Sequence, residues 1–338
     1  MESGRVMKKV NVKYHIDSFD KFNAEFQGLL DVFSDGASHL EITLVMDELD
    51  NRNVSCIVNS IARNPTFKDI ANETIYTFVA VVAPSMELAK TFIKIKGLLS
   101  RIDLVSNEEN LSTTAGVFLA LKKKKLPCSV IIRESNIDEI IRLYRRLTNI
   151  GVTVFVEGEV SYNEKFNILF KEWLYDKNGC RLNIFADILS RILLDYWGSK
   201  CQFKSCLTKY FSVETDGTIY SCKDTKNKIC SLSEIGSVNE IISNDNFVEL
   251  LKQSVIKRAQ CKEHCKFYEL CQGGCPLNSN ISISECAEKQ LFVFMESVSE
   301  LLYPLIQNSD YRNLNPAVRE MILSSVASNK LFEKGIYH

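Results

Sequence analysis

Nine of the chain's twelve cysteines lie between Cys201 and Cys286, which is about a quarter of its 338 residues. The densest segment reads CKEHCKFYELCQGGC and places four thiols within the fifteen residues 261–275. The N-terminal residues show no apolar run of the signal-peptide type. We therefore expect the thiols to bind metal rather than to form disulfides.

The number of thiols bears on which metal they bind. A structural zinc ion takes four ligands, often as two closely spaced cysteine pairs, so nine cysteines are too many for one zinc. All-sulfur sites also suit iron–sulfur clusters, and each cubane cluster takes four thiolates. Eight cysteines would hold two [4Fe–4S] clusters and leave one over. A zinc-ribbon-like site stays open as an alternative, because four cysteines suit either metal.

A hairpin is predicted inside this region. The segment YFSVETDGTIYSC consists of two strand-like runs around Asp216-Gly217, a pair typical of type I′ turns. Such a hairpin would bring Cys206 and Cys222 side by side. Further on, Gly273 and Gly274 are expected to let the backbone turn tightly between ligands.

The pattern resembles the SPASM domain, the auxiliary-cluster domain of many radical S-adenosylmethionine peptide maturases. One interval departs from that family, because three residues rather than two separate Cys261 and Cys265. The matching residues are Cys206, ten residues, Gly217, four residues, Cys222, and later Cys261, Cys265, Cys271, Cys275 and Cys286.

The resemblance implies two auxiliary [4Fe–4S] clusters. Cys230 is then left as a free or buried thiol, and His264 is expected beside the ligands rather than among them. The first cluster would be held by Cys201, Cys206, Cys222 and Cys275, and the second by Cys261, Cys265, Cys271 and Cys286.

The first half of the chain must supply the scaffold. Strand-like segments alternate with segments that have apolar residues at helical spacing, which predicts right-handed βαβ units on a parallel sheet. Periodicity alone fits a doubly wound sheet equally well. The resemblance favours an α/β fold with the partial (β/α)6 TIM-like barrel of radical S-adenosylmethionine enzymes. The predicted strands cover 9–16, 39–46, 74–83, 101–106, 127–133 and 152–156.

Three regions are predicted along the chain. Residues 1–196 would form a degenerate radical-SAM-like partial barrel, and residues 197–290 the SPASM domain. Residues 291–338 would form a C-terminal helical segment, in which a helix from Glu288 ends at Pro304.

Two motifs of the radical enzymes are missing. Their cluster-binding CxxxCxxC follows the first strand, whereas this chain has no cysteine in residues 15–20 and only Cys56 and Cys128 before Cys180. Their glycine-rich acidic motif follows the second strand, where this chain reads Met46-Asp47-Glu48. We therefore expect the chain not to use S-adenosylmethionine, and we assign no catalytic residue.

Composition limits the partners. The formal net charge is −1, with 46% apolar and 25% charged residues, so nucleic acid and anionic membranes are not indicated. The longest apolar run, near 75–84, is too short to span a bilayer. We expect a cytoplasmic protein in which His15, Asp47, Glu48 and Asp50 are ordinary rim or solvated side chains.

These observations predict a non-catalytic iron–sulfur accessory protein of a ribosomal-peptide maturation system. It would bind a precursor peptide, a true radical S-adenosylmethionine maturase, or both. One alternative is an active peptide-modifying oxidoreductase of the same family that uses its auxiliary clusters. A second is a zinc-stabilised structural module.

Overall fold

The computed structural model describes residues 9–35, 37–64, 67, 74–95, 97–157, 161–178, 181–194, 207, 209–222, 227–268 and 288–327. Strands and helices alternate through the first part of the chain, as the periodicity predicts. The strands are β1 (Val10–His15), β2 (His39–Val45), β3 (Ile75–Val82), β4 (Leu99–Ser106), β5 (Cys128–Ile132), β6 (Thr153–Val156), β7 (Arg181–Leu182), β8 (Tyr210–Val213), β9 (Thr218–Ser221) and β10 (Lys228–Ser231).

Most helices of the first half begin at a side chain that caps the first turn. Ser18, Asp50, Ser85 and Asn163 each accept a backbone N–H at the start of a helix. The helices are α1 (Phe19–Ser34), α2 (Asn51–Arg63), α3 (Met86–Lys94), α4 (Leu111–Lys123), α5 (Ile137–Leu147), α6 (Glu164–Leu174), α7 (Asn183–Leu194), α8 (Val238–Ser243), α9 (Asp245–His264), α10 (Glu288–Gln307) and α11 (Pro316–Ala327).

All ten strands belong to one sheet in the order β10-β9-β8-β1-β2-β3-β4-β5-β6-β7. Every neighbouring pair from β8 through β1 to β7 is parallel, whereas β8-β9 and β9-β10 are antiparallel. The α/β prediction is therefore confirmed. The hairpin β8–β9 continues the sheet of the first half, because β8 pairs with β1.

The two faces of the sheet differ in what they contact. Residues that pair across parallel strands point to the same face. Leu44, Ala80 and Ile102 form one such row, and all three lie in the hydrophobic core shared with the helices. The adjacent row points the other way and has a mixed character: His15, Val45, Val81, Asp103, Ser129 and Thr153.

This second face is concave. Arg133, just after β5, forms an ion pair of 2.5 Å with Asp47, just after β2. In a flat sheet those strands would be about 14 Å apart, since neighbouring strands are about 4.8 Å apart. The contact between these side chains indicates that the sheet curves toward their face, as in the partial barrel that was predicted.

The predicted hairpin exists, but its turn is of another type. Gly217 has a positive φ of 77°, and its N–H donates to the carbonyl of Glu214 at 2.9 Å. The N–H of Glu214 in turn donates to the carbonyl of Thr218 at 2.9 Å. The loop therefore has three residues and a bulged glycine instead of the two-residue type I′ turn.

The C-terminal helices pack against the end of the barrel region. The hydroxyl of Ser325 on α11 donates to the carbonyl of Leu193 on α7 at 2.5 Å. Pro304 does not end α10 as predicted, because the helix continues to Gln307. Among the described residues, no helix combines the length and the apolar character needed to cross a membrane.

Candidate functional site at the carboxyl end of the sheet

Five charged or titratable side chains meet where the parallel strands end. We call them the mouth cluster: His15, Asp47, Arg133, Glu157 and Glu214, which end or follow β1, β2, β5, β6 and β8 respectively. In sheets of parallel strands, ligands bind at the carboxyl ends. The mouth cluster is therefore the candidate site of this molecule.

Arg133 connects two acids of the mouth cluster. Its Nη1 and Nη2 lie 2.5 and 3.1 Å from the two carboxylate oxygens of Asp47. Its Nε lies 3.5 Å from Glu157. The side chains of Asp47 and Glu157 are only 9% and 15% exposed, so both carboxylates are held where water is scarce.

His15 and Glu214 form the other half of the cluster. His15 Nε2 lies 3.6 Å from Glu214 Oε1, and the hydroxyl of Ser212 donates to the same oxygen at 3.1 Å. Burial lowers the pKa of His15 below its ordinary value, and this outweighs the opposing effect of Glu214. These surroundings therefore favour the neutral imidazole.

The mouth cluster has more negative than positive charge. Its three carboxylates face the guanidinium of Arg133, and Lys13 of β1 is a second cation that acts on His15, so the carboxylates outnumber these cations by one. Partly buried sites with a net negative charge attract positively charged ligands. The arrangement therefore favours a ligand with an ammonium or sulfonium group.

A cavity of about 240 Å³ lies beside Arg133, between the ends of β4 and β5. Its lining includes Ser106, Asn107 and Glu134. Ligand pockets typically measure about 300–1,000 Å³, so this cavity suits one part of a ligand rather than a whole one. Of the mouth cluster, Arg133 alone lines this cavity.

The structure describes only some of the cysteines that are predicted to bind metal. Cys222 ends the β8–β9 hairpin at a positive φ of 60°, a conformation that few residues other than glycine adopt. Its N–H donates to the carbonyl of Tyr210 at 2.7 Å. Five of the predicted ligands lie outside the described residues: Cys201, Cys206, Cys271, Cys275 and Cys286.

Cys261 and Cys265 lie one turn apart at the end of α9, where the N–H of Cys265 donates to the carbonyl of Cys261 at 2.9 Å. Residues four apart share a helix face, as two ligands of one cluster would require. Cys230 on β10 is buried. In the part of the chain that the structure describes, no three potential ligands converge, so the cluster assignments stay predictions.

An iron–sulfur cluster at the mouth does not fit the residues present there. The described segment after β1, residues 15–18, has no cysteine, and Cys56 lies within α2. Cys128 begins β5, at the opposite end of the sheet. Burial, aided by Asp103, raises the pKa of the Cys128 thiol to about 12, so it is a poor ligand.

Most of this site was not predicted from the sequence. Asp47 was expected to be solvated, but it is largely buried and paired with Arg133; Glu48 and Asp50 are exposed as expected. Arg133, Glu157 and Glu214 were not singled out at all. The available signal was a charged residue directly after a buried strand, which occurs at each of these positions.

Comparisons with known proteins place the fold. The chain is 32% identical over 120 residues to the cysteine-type anaerobic sulfatase-maturating enzymes of two Clostridium perfringens strains. The match spans 34% of this chain and about a third (32%) of the length of those relatives. No protein-family model matches the chain.

Solved structures agree over a much longer span. Anaerobic sulfatase-maturating enzyme anSMEcpe with bound AdoMet superposes with a TM-score of 0.60 at 13% identity, covering 86% of this chain and 99% of the other. The same enzyme with AdoMet and the Cp18Cys peptide gives a TM-score of 0.61 at 14% identity over the same shares of the two chains.

These findings contradict two expectations. The chain was predicted to be a non-catalytic accessory protein, whereas the homologous proteins are enzymes. It was also expected not to use S-adenosylmethionine, whereas the structural neighbours bind it as AdoMet. Both predictions relied on the motifs that are missing from two loops, whereas the similarity of the fold as a whole points the other way. The chain is thus homologous over about a third of its length to a cysteine-type anaerobic sulfatase-maturating enzyme and shares the fold of AdoMet-bound anSMEcpe.

Proposed function

We propose that this protein is a peptide-modifying oxidoreductase that binds S-adenosylmethionine at the mouth cluster. The homologous enzymes are named for maturing sulfatases, and the neighbouring structures hold AdoMet and peptides. We extend both ligands to this chain. We propose that the reaction takes place in the cytoplasm, where exposed thiols stay reduced.

The surplus negative charge of the mouth cluster carries this proposal. S-adenosylmethionine has an ammonium, a sulfonium and a carboxylate group, so its net charge is positive. Asp47 follows β2 with a side chain only 9% exposed, so it offers a carboxylate in a partly dehydrated setting where charge attraction is strong. The cavity beside Arg133 is lined by four further glutamates, so it also favours a positively charged part of a ligand.

The redox groups would be iron–sulfur clusters held by the C-terminal cysteines. We propose Cys201, Cys206, Cys222 and Cys275 for one cluster and Cys261, Cys265, Cys271 and Cys286 for the other. Such clusters supply one-electron chemistry when bound. Because the mouth itself lacks cysteine ligands, we derive no step through a cluster there.

Binding of S-adenosylmethionine tests the proposal directly. Purified protein with reconstituted iron and sulfide is dialysed to equilibrium against labelled S-adenosylmethionine. We expect Asp47→Asn to weaken binding by about tenfold, because a charge-assisted contact contributes about 1.5–3 kcal/mol. Asp50→Asn is the matched control, since Asp50 is exposed and its role is to cap α2.

Turnover and metal content complete the test. The protein is incubated without oxygen with a reductant, S-adenosylmethionine and cysteine-containing peptides, and peptide masses are followed. Absence of both S-adenosylmethionine binding and any peptide product would refute the proposal. Zinc in place of iron would favour the structural module instead, because cubane clusters need four irons each.

A further inference from the structure

We propose that His15 and Glu214 form a proton-transfer pair in the mouth cluster, with His15 as the base that acts on the bound peptide. Glu214 would be a positioning residue that orients the imidazole. The inference rests on the proposed function and adds a chemical role to two residues of the same site. It concerns an acidic side-chain proton of the peptide, such as that of a thiol.

The strand pairing brings these two residues together. Tyr14 of β1 pairs with Val213 of β8, so the next residues along, His15 and Glu214, face each other across the two strands. Both side chains point to the concave face, and His15 Nε2 lies 3.6 Å from Glu214 Oε1. This distance is slightly longer than a hydrogen bond, as is common for catalytic pairs without substrate.

Hydrogen bonds fix both the backbone and the carboxylate of Glu214. Its backbone makes both hydrogen bonds of the bulged turn, one from Gly217 and one to Thr218, each 2.9 Å long. Its carboxylate accepts the hydroxyl of Ser212 at 3.1 Å. A carboxylate fixed in this way can keep the imidazole in one orientation, as second partners of histidine bases do.

The surroundings of His15 favour its neutral form, which can accept a proton. Burial lowers its pKa, and Lys13 and Arg133 act in the same direction. Glu214 and Asp47 face the same imidazole and oppose the shift, because their charges favour the protonated form. The side chain is 26% exposed, so one edge of the ring remains open to a substrate.

The proposed step balances as a simple proton transfer. The S–H bond of a peptide thiol breaks and its electron pair stays on sulfur, while an N–H bond forms at His15 Nδ1. The Nε2–H of the resulting imidazolium donates to Glu214, which stabilises the new positive charge. Such general bases contribute about 10²–10⁴-fold to rate.

His39 provides a matched control. It also lies on the sheet, at the start of β2, and its Nε2 lies 2.7 Å from the Thr77 hydroxyl. Burial lowers the pKa of His39 as well. It belongs to the opposite end of the sheet from the mouth cluster, so His39→Gln should leave turnover and its pH dependence unchanged.

The first test needs no turnover. The chain has four histidines, so the Cε1 proton signal of His15 can be assigned by NMR from the His15→Gln variant and followed with pH. Glu214→Gln should lower the pKa of His15 further, because it removes an interaction that raises it. An unchanged His15 titration in Glu214→Gln would overturn the pairing.

The second test separates this inference from the proposed function. Wild-type turnover should fall as the pH drops through the pKa of His15, and His15→Gln should be about 100-fold slower with that dependence lost. Added imidazole should restore part of the rate, which a structural role for His15 would not allow. Turnover with an unchanged pH profile in His15→Gln would overturn the inference alone, and absence of wild-type turnover would remove the proposed function together with it.

Discussion

The concave face contains two groups of charged side chains that differ in burial and in charge balance. The first, which we call the buried triad, consists of Arg101, Asp103 and Ser129 on β4 and β5. Arg101 contacts the carboxylate of Asp103 through Nε at 2.8 Å and Nη2 at 2.9 Å, and the Ser129 hydroxyl also donates to it. Asp103 is 1% exposed, and its charge is matched by that of Arg101. The mouth cluster, by contrast, is partly open and has a surplus of carboxylates.

The buried triad is suited to stabilising the fold, whereas the mouth cluster is suited to binding a ligand, although both lie on the same face of the sheet. A buried carboxylate that receives a bidentate guanidinium and a hydroxyl has its charge matched and little reason to bind anything else. Asp47 also receives a bidentate guanidinium, but Arg133 is shared with Glu157, so these two carboxylates together outnumber that cation. The comparison predicts that mutations in the buried triad reduce stability most, whereas those in the mouth cluster affect ligands most.

The largest effect on stability is expected for Asp103→Ala. The change leaves Arg101 and the Ser129 hydroxyl without their common partner in a buried site. Breaking buried pairs costs about 3–5 kcal/mol, and because Arg101 is 33% exposed we expect about 3 kcal/mol. The measurement is urea unfolding at pH 7.

The control for this change is Glu172→Ala. Glu172 also binds a guanidinium through two oxygens, at 2.5 and 3.0 Å from Arg145, but on the surface, where the two side chains are 35% and 57% exposed. Its loss should cost at most about 0.5 kcal/mol. Equal losses for the two variants would show that the buried triad is not distinguished by its burial.

A smaller effect is expected for Arg133→Met. Asp47 and Glu157 would lose their shared cation, but Arg133 is 35% exposed and water can enter in its place. We expect the free energy of unfolding to fall by about 1–2 kcal/mol. In Lys9→Met the exposed pair with Glu41, 3.0 Å apart, is lost, and the expected cost is below about 0.5 kcal/mol. Equal losses in the two variants would show that the ion pairs of Arg133 stabilise the fold no more than the exposed pair of Lys9 does.

The sequence predicted most of the scaffold. Alternating apolar periods located β1 to β6 and the helices between them, because each strand buries one face and each helix one stripe. It missed β7, which has two residues, and β10, whose four residues pair only with β9. Such short edge strands owe their existence to partners distant in the chain, and local pattern does not reveal those partners.

The site was harder to predict for a similar reason. Asp47 and Arg133 are 86 residues apart and meet only because the sheet curves. Glu214 was seen as part of a hairpin, but its contact with His15 depends on β8 pairing in parallel with β1. The cysteine pattern drew attention to the C-terminal third, whereas the charges that converge in the described structure belong mainly to the barrel.

The smallest effect on stability is expected for Glu157→Gln. This carboxylate lies 3.5 Å from Arg133, whose closer contacts are with Asp47, and it is part of the surplus negative charge. Glutamine keeps the shape and hydrogen-bonding capacity, so the free energy of unfolding should change by no more than about 0.5 kcal/mol. Because one negative charge of the mouth cluster is removed, affinity for S-adenosylmethionine should fall about three- to tenfold, and less so at high salt. A loss of stability as large as that of Asp103→Ala, with affinity unchanged, would mean that Glu157 supports the barrel and that the surplus charge does not serve a ligand.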